Sequence, residues 1–524
     1  MKKGFTLIEL LAVILILGII ALIAIPTVNN ILKESRMGAF NITIKTVTNK
    51  IEENCQLEQI KSKKHTSLYT LIDGKFNVPL NIKGNLPNTG YVIVKNDCEV
   101  AYAFSDENYS VSKSFNDGSI LINDKNTAPA YGFEWTSNKA TLKDTFRRTL
   151  DSKDIEVDEV NIQIGNDKVT NVFDGFDIYK DIIPYTDEFD NEFILIPKFY
   201  IKKIKEETNN EIIWNYAISK HKLDKDYYLP ASFVDEGENN VKHIELPYVL
   251  VGKYSAASNG LTGDAETLVS KSGLLPKTNI SMYNTISYIK KYKSNGGVGY
   301  QQYDIHIHDL LTMLFTIEFN TVDAQSVLFG LVGKGYIDGL TVTGGSDVIK
   351  SSSGTLANDK MNAFHYRGIE NLWGGVLTFV EGVSFHNNVN NAADAVDKIN
   401  NIYLSNNSRN YVIGNINDSY KLVGGYKKLN YDTDISNYKG YVQDYNFDPK
   451  FPFFTFPKKL TDKNSIGTKD YFDNFNNNGY QILLVGGSYC SGETAGLYFY
   501  YPSWSSALRY PTVGARLARS AIQS

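Results

Sequence analysis

The first residues of the chain decide its architecture: Met1-Lys2-Lys3-Gly4-Phe5-Thr6-Leu7-Ile8-Glu9-Leu10. They lead into an apolar run from Leu10 to Ile25, which Pro26 ends. A basic start and an apolar core are typical of a secretory signal peptide, but no small-x-small cleavage site follows this core. As a plain membrane anchor, the run is slightly shorter than the roughly 20 residues that span a bilayer. Glu9 needs a partner, because an unpaired carboxylate is costly in an apolar setting.

The apolar pattern continues beyond Pro26 and predicts one helix that extends to about Gln59. Its later apolar members are Val28, Ile31, Leu32, Met37, Ile42, Ile44 and Val47.

The stretch from Lys2 to Leu11 closely resembles the type IV prepilin signal. The resemblance implies that a prepilin peptidase cleaves between Gly4 and Phe5 and that the new amino terminus of Phe5 is methylated. It also implies a partner for Glu9, namely the free amine of a neighbouring pilin subunit in the filament core. Pro26 resembles the helix-bending proline of these pilins. A simple membrane anchor is the alternative interpretation.

Composition limits the remaining possibilities. At roughly 100–200 residues per domain, 524 residues correspond to two to four domains. The formal charge of −5 gives no basic surface for nucleic acid, so we expect no nucleic-acid partner. The chain has 35 Tyr and 27 Phe but only 5 Met, which is typical of binding surfaces and β-rich scaffolds. The predicted fold class is α+β.

Four segments are predicted: a leader at 1–4, the membrane and filament helix at 5–60, a small pilin β-region at 61–125, and a large domain at 127–524. In the small region, 91–94 and 100–104 are predicted strands that flank a turn. Cys55 ends the helix and Cys98 lies in that turn. Outside the cell these two residues could form a disulfide, and two free thiols are an equally open alternative.

The large domain resembles the C-type-lectin-like fold of formylglycine-generating-enzyme type. That fold also occurs in phage tail receptor-binding proteins and in the variable proteins of diversity-generating retroelements. The blocks that carry the resemblance are 193–200, 304–325, 367–375, 484–490 and 514–519. Within this domain, spacing predicts helices at 278–291 and 309–322, with Asp309 as an N-cap, and an edge or broken strand at 193–201.

The stretch 497–510 is the candidate ligand-binding segment, because it lies where variable relatives of this fold place their contact residues. Tyr, Ser and Trp also provide rigid contact area with adaptable hydrogen bonds. Strand alternation places part of these rings in the core. The predicted contacts are Tyr498, Tyr500, Tyr501, Trp504 and Tyr510. By contrast, Trp373 is predicted to be a core residue, and Arg516 and Arg519 to form internal hydrogen bonds or ion pairs.

The candidate cysteine, histidine and acidic residues do not form a pattern that predicts a catalytic site or a metal site. Oxidases of the resembled fold use two C-terminal cysteines, and only Cys490 lies in that region. His306 and His308 would share one face of a strand but lack further ligands in sequence. Asp187, Asp190 and Glu192 could contribute to a calcium site, but an acidic turn is the simpler interpretation. We predict no enzyme activity, no cofactor and no metal.

These observations predict a minor or tip type IV pilin that displays a lectin-like domain for adhesion. It would lie in the cytoplasmic membrane as a single-pass protein before assembly and on the cell surface afterwards. Its partners would be other pilins, the prepilin peptidase and an extracellular ligand, either a glycan or a protein on a host or bacterial surface, or a polymer. A pseudopilin of a type II-like secretion system is the alternative function, and an oxidase is a third.

Overall fold

The structure, a computed structural model, describes residues 6–60, 67–82, 84–115, 118, 120–136, 145–208, 211–237, 242–336, 339–387, 401–408, 411, 426–429, 439–448, 451, 454–461, 470–473 and 479–522. A long helix precedes a β-rich body, which confirms the predicted α+β class. The α-helices are α1 (Leu7–Ile60), α2 (Met282–Ser294), α3 (Ile305–Phe319) and α4 (Ala324–Val327).

The strands are numbered in chain order. The first six are β1 (Ser67–Ile72), β2 (Lys75–Phe76), β3 (Thr89–Val94), β4 (Val100–Ser105), β5 (Tyr109–Lys113) and β6 (Ile120–Asp124). The next group is β7 (Ala130–Thr136), β8 (Phe146–Leu150), β9 (Gln163–Ile164), β10 (Ile183–Thr186), β11 (Glu192–Pro197), β12 (Tyr200–Glu207), β13 (Ile212–Ser219), β14 (Val234–Asp235), β15 (Ile244–Glu245), β16 (Tyr248–Ser255), β17 (Ala257–Ser258), β18 (Leu268–Val269) and β19 (Tyr300–Gln302). The last group is β20 (Gly354–Thr355), β21 (Phe364–Tyr366), β22 (Ile369–Glu370), β23 (Leu377–Asn387), β24 (Asn401–Ser405), β25 (Tyr426–Leu429), β26 (Lys439–Phe447), β27 (Thr455–Thr461), β28 (Tyr471–Asp473), β29 (Gly479–Gly486), β30 (Gly496–Trp504), β31 (Val513–Gly514) and β32 (Arg516–Ser520).

Helix α1 divides into two halves with different surroundings. Its N-terminal half is strongly apolar and exposed in the single chain, and it is long enough to cross a membrane. Pro26 lies inside the helix, where it has no backbone N–H to donate. In the C-terminal half, Phe40, Ile44, Val47 and Ile51 recur at helical spacing and are all buried. This stripe packs on the small sheet.

The small sheet has the strand order β2-β1-β3-β4-β5-β6 and is covered on both faces. Every residue of β3 is buried. Because side chains alternate along a strand, Val92 and Val94 pack toward α1, whereas Tyr91 and Ile93 join the core of the large domain. The central strand of this sheet therefore resembles a buried core strand, with no solvent-facing side.

The large domain is built from several sheets around a core helix. Its two larger early sheets have the orders β12-β13-β7-β8 and β10-β11-β16-β32-β19, so the last strand of the chain returns between strands from earlier in the domain. The largest sheet runs β25-β24-β23-β29-β30-β28-β26-β27, with β31 beside β23. Two small sheets and one of order β22-β21-β20-β9 complete the described part of the domain.

Helix α3 lies at the centre of the large core, and its start differs from the prediction. Asp304 is the N-cap, because its carboxylate accepts from the backbone N–H of Ile307 at 2.8 Å. Asp309 is therefore not the cap; it lies in the second turn and contacts the ammonium of Lys203. The start was predicted too late because His306 and His308 were not recognised as core residues. Helix α2, by contrast, begins later than predicted, after the cap Ser281.

The stretch 193–201 forms two strands instead of one. Strand β11 ends at Pro197, and β12 begins at Tyr200 in a different sheet. Of the two predicted alternatives, an edge or a break, the structure shows the break, since β11 itself lies between β10 and β16. Pro197 occupies the end of the strand, where a missing backbone donor interrupts least of the ladder.

Candidate functional site

Strand β30 carries residues 497–504 of the candidate ligand-binding segment through the middle of the largest sheet, and Tyr510 follows the strand. It pairs with β29 on one side and with β28 on the other. The pairing with β29 shifts register between Ile482 and Leu484, so that Ile482 faces Trp504 and Leu484 faces Tyr501. A bulge of this kind changes which side chains point to a given face. Consequently Tyr501 and Trp504, three positions apart, lie together.

Two of the predicted contact residues, Tyr498 and Tyr500, point inward. Tyr498 and Tyr500 are only 8% and 9% exposed. The hydroxyl of Tyr498 contacts the hydroxyl of Thr316 on α3, and the ring of Tyr500 lies 5.7 Å from the ring of His308. The prediction that these two rings contact a ligand is wrong, because α3 covers that face of β30 and the pleat directs both rings into the core.

The other three predicted contacts form a surface. Tyr501 and Trp504 are half-buried, and their rings meet edge to face at 6.1 Å. Tyr510 is 44% exposed. The carbonyl of Tyr510 accepts from the backbone N–H groups of Asn279 and Val513, both at 3.1 Å, so the backbone that presents this ring is held in place.

Tyr336 completes this surface and was not predicted. Its side chain is 54% exposed and lies beside the side chain of Tyr510. It lies more than 150 positions earlier in the chain, in a Gly-rich stretch without strand periodicity, so no local pattern signals it. We call Tyr336, Tyr501, Trp504 and Tyr510 the aromatic face.

An apolar cluster supports the aromatic face from below. Its buried members are Met282, Ile286, Phe379, Ile482, Leu484 and Val513, and Tyr501 and Trp504 pack against them. Burial raises the pKa of Tyr501 to about 12, against a lowering contribution from its hydrogen bond with Trp504. Its hydroxyl is therefore neutral at physiological pH. The face offers ring surfaces for stacking and neutral hydroxyls that can both donate and accept.

The N-terminal site is described from Thr6 onward; Gly4 and Phe5, the predicted cleavage and methylation residues, lie outside the described residues. The carboxylate of Glu9 accepts from the backbone N–H of Thr6 at 2.9 Å and from its hydroxyl at 2.8 Å. The backbone N–H of Glu9 donates to the Thr6 hydroxyl at 3.3 Å. This is a capping box, and its Thr-x-x-Glu signature is visible in the sequence. In the single chain, Thr6 and Glu9 together therefore cap the first turn of the helix.

The three cysteines lie in two different parts of the protein. Cys55 and Cys98 form a disulfide that links the end of α1 to the turn between β3 and β4. Cys490 is exposed, and its Sγ lies 3.4 Å from the Ser488 hydroxyl.

The candidate metal ligands each have separate protein partners. On helix α3, His306 bonds the carbonyl of Ser405 at 2.7 Å, whereas His308 bonds the hydroxyl of Tyr303 at 3.1 Å. Burial lowers the pKa of His308 to about 4. These residues lie on a helix and not on a strand, so their side chains do not share a face. Among the described residues, no group of three or more His, Cys, Asp or Glu side chains could hold a metal ion.

The acidic turn is likewise held by ordinary contacts. Asp187 accepts from the backbone N–H of Asn191 at 2.9 Å and from Arg519 at 3.3 Å. Asp190 faces Lys271 at 3.8 Å, and Glu192 faces Lys253 at 3.3 Å. The three carboxylates therefore do not converge on one point.

The residues predicted to be internal are internal. Trp373 is fully buried and donates to the carbonyl of Leu328 at 3.2 Å. Arg516 is 1% exposed and donates to four backbone carbonyls, those of Gly252, Lys253, Glu370 and Asn371. Arg519 pairs with Asp187 and Glu188. These residues fix the C-terminal strand in the domain.

Comparisons with known proteins bear on the N-terminus. Residues 1–25 match the family described as the prokaryotic N-terminal methylation motif. No curated protein matches the chain in sequence. Among solved structures, the chain is similar to Treponema denticola variable protein 1 at 10% identity and a TM-score of 0.27, covering 64% of this chain and 98% of that one. So low a TM-score carries no argument about the fold.

The methylation motif and the exposed apolar helix together support a type IV pilin or pseudopilin-like protein. The motif implies processing by a prepilin peptidase and assembly with other pilins. One N-terminal apolar helix fits a protein that is first anchored in a membrane and then exposed at the surface.

Proposed function

We propose that this protein is a minor or tip type IV pilin that displays a C-type-lectin-like domain and binds a surface ligand through its aromatic face. The observation that carries the proposal is the exposure of Tyr336 and Tyr510 beside the half-buried Tyr501 and Trp504. An exposed cluster of aromatic side chains is typical of a recognition surface.

The size of the large domain, residues 127–524, which we call the display domain, supports a minor or tip position in the filament. Roughly three quarters of the 524 residues follow the small sheet, which ends at Asp124. A filament core places subunits close together along its helix, so a domain this large would crowd every turn. A subunit present in few copies, or only at the end, avoids that crowding.

The chemistry of the face indicates the ligand class. Tyr and Trp rings stack on the apolar faces of sugars and on apolar side chains, while their polar atoms form hydrogen bonds. The described residues of the face carry no formal charge, so the ligand need not be charged. We propose a glycan or a protein surface, on a host or a bacterium, as the ligand.

Catalysis is not part of the proposal. Cys490 bonds to Ser488, and the other two cysteines are joined to each other, so a two-thiolate centre near Cys490 would need a second thiol that the 524 residues do not contain.

The test is a binding screen with the full-length protein in detergent, against glycans and candidate cell surfaces. The Tyr501→Ala, Trp504→Ala, Tyr510→Ala triple variant should lose at least about tenfold in affinity, because hot-spot aromatic residues each contribute about 2 kcal/mol or more. Ile164→Ala is the matched control, since Ile164 is 50% exposed on a different sheet. Unchanged binding by a folded triple variant would reject the aromatic face as the ligand site.

A pseudopilin role would give a different result. In that case, the purified protein would bind no surface, and the protein would stay with the cell envelope.

A further inference from the structure

An arginine without a protein partner adjoins the aromatic face. Arg509 is exposed and directly precedes Tyr510 in the chain. Within the described part of the protein, its guanidinium forms no hydrogen bond and no ion pair. The other described arginines of the display domain bind carboxylates or backbone carbonyls; they are Arg147, Arg148, Arg367, Arg516 and Arg519. The guanidinium donors of Arg509 are therefore available to a ligand.

The backbone on both sides of Arg509 is held in place. Leu508 packs on the apolar cluster that supports part of the aromatic face, and its backbone N–H donates to the carbonyl of Ser505 at 3.1 Å. On the other side, the carbonyl of Tyr510 accepts from two backbone N–H groups. Because consecutive Cα atoms are about 3.8 Å apart, Arg509 begins at the edge of the aromatic face.

A carboxylate near Arg509 already has a cation of its own. Glu266 accepts from the ammonium of Lys277 at 2.8 Å and from the hydroxyl of Tyr288 at 3.0 Å. The hydrogen bond with Glu266 raises the pKa of Tyr288, whereas the charges of Lys277 and Arg509 act in the opposite direction. The charge of Arg509 is thus additional to a pair that is complete without it.

A second carboxylate lies on β28, near Tyr501. Asp473 is half-buried, and its charge acts on the hydroxyl of Tyr501. Burial raises the pKa of Asp473, and Lys439 is the cation that acts on it in the opposite direction. Neither this carboxylate nor Glu266 forms an ion pair with Arg509, so the aromatic face has an unbalanced positive charge at its Tyr510 edge.

We propose that the aromatic face binds an acidic glycan, in which the carboxylate of a uronic acid unit binds Arg509 and the sugar ring stacks on Tyr510. A hexuronate unit combines an apolar face of C–H groups with a carboxylate at its edge. Arginine can donate two parallel hydrogen bonds to a carboxylate, which adds specificity as well as affinity.

The arrangement favours an acidic sugar over an acidic protein surface. An aspartate or glutamate side chain offers a carboxylate without a flat apolar ring face, so it would use Arg509 but not the adjoining ring. A uronic acid uses both groups with a single unit. This inference rests on the proposed function, because it names the ligand class of the same site.

Paired glycans test the proposal with the full-length protein in detergent. The probes are oligomers of galacturonic, glucuronic and mannuronic acid, each compared with its carboxyl-reduced form, which keeps the rings but is neutral. At least one acidic oligomer should bind about tenfold or more tightly than its reduced form, within the range expected for hydrogen bonds to a charged group. Equal binding of every pair, or no binding of any acidic oligomer, would overturn the proposal.

Variants of Arg509 locate the contact. Arg509→Gln should weaken binding of the acidic oligomer by about tenfold or more, and it should bind the acidic and reduced forms equally. Arg509→Lys keeps the charge without the planar pair of donors and should restore only part of the affinity. Lys225→Gln is the matched control, because it removes the charge of an exposed lysine in the turn after β13. An equal loss in Lys225→Gln and Arg509→Gln would show an effect of net charge alone and would overturn the proposal.

Failure of this inference and failure of the proposed function give different results. If the protein binds a neutral glycan or a protein surface, and the aromatic triple variant loses that binding, the proposed function stands and the acidic-glycan proposal is wrong. If the triple variant binds the acidic oligomers as tightly as the wild type does, the aromatic face is rejected, and both proposals are wrong.

Discussion

Two surfaces of the protein group exposed apolar side chains, the first half of α1 and the aromatic face, and the two differ in kind. Along the first half of α1 they are Leu, Ile and Val, with exposure such as 80% at Leu7 and 78% at Leu22. On the aromatic face they are Tyr and Trp, which carry polar atoms at their edges. The aliphatic surface can be buried in any apolar environment, because burial of apolar side chains has no preferred direction. The aromatic face instead needs a ligand with matching hydrogen-bonding groups, because Tyr and Trp carry polar atoms.

This difference explains why one chain can pass through two environments. An aliphatic helix can leave lipid for a bundle of similar helices, because both are apolar and neither demands a specific geometry. The aromatic face is instead held in part by strand β30, where Tyr501 and Trp504 pack on a cluster of buried apolar side chains. We infer that assembly depends on the first surface and specificity on the second.

The largest expected effect concerns the one acidic residue in the aliphatic surface. Glu9→Ala removes the carboxylate that would meet the amine of a neighbouring subunit. Breaking a buried pair costs about 3–5 kcal/mol, so assembly should fall by far more than about tenfold. The measurement is the ratio of protein in sheared filaments to protein in membranes. Glu34→Ala, an exposed glutamate later in the same helix, is the control and should assemble normally; equal assembly of both variants would contradict the role of Glu9.

The next effect separates the buried rings of segment 497–510 from its exposed rings. Tyr500→Ala empties a buried site and should lower the free energy of unfolding by about 3–5 kcal/mol. Tyr510→Ala changes an exposed ring and should change it by less than about 0.5 kcal/mol. Denaturant titration of the purified proteins measures both. If Tyr510→Ala proved as destabilising as Tyr500→Ala, the division into inner and outer rings would be wrong.

A smaller effect is expected from the disulfide, which braces α1 on the small sheet. Replacing both Cys55 and Cys98 by Ser should lower the stability of the small sheet by about 2–4 kcal/mol, since the bond closes a loop of 43 residues. Ligand binding should persist, because the aromatic face lies in the other domain. Thermal unfolding together with the binding assay tests this separation. Loss of binding in a folded double variant would show that the two surfaces depend on one another.

The smallest expected effect is that of pH on the affinity for the ligand, which we expect to be absent near neutrality. The pKa of Tyr501 lies at about 12, above its ordinary value of 10.0, because of burial. Because its pKa is raised in the folded protein, Tyr501 is held in the neutral form there. The stability that this form contributes is fully present below the ordinary tyrosine pKa of 10.0. It is lost as the pH rises through the folded-state pKa of about 12. Affinity measured from about pH 7 to about pH 9 should therefore stay constant. An inflection in this range would indicate a titrating group at the contact.

The long helix was predictable because one periodic pattern runs from the leader to Gln59. The helices α2 and α3 also followed from apolar spacing, although their starts did not. Their caps, Ser281 and Asp304, lie next to residues whose burial only the tertiary fold decides.

The site was predicted in part, for a physical reason. Segment 497–510 was chosen from the fold resemblance and from its composition. The side of the strand that each ring occupies, however, depends on α3 above Tyr498 and on the bulge opposite Tyr501. Neither feature is local to the segment. Tyr336 comes from a distant loop, so only the folded chain places it beside Tyr510.

The most direct test of the central claim is the position and copy number of the protein in native filaments. Sheared filaments should be quantified by mass spectrometry and labelled with gold-conjugated antibody against the display domain. We predict that the mature protein starts at Phe5, that it is present in few copies per filament, and that the label concentrates at filament ends. Absence from sheared filaments, or its presence as their main subunit, would contradict the account.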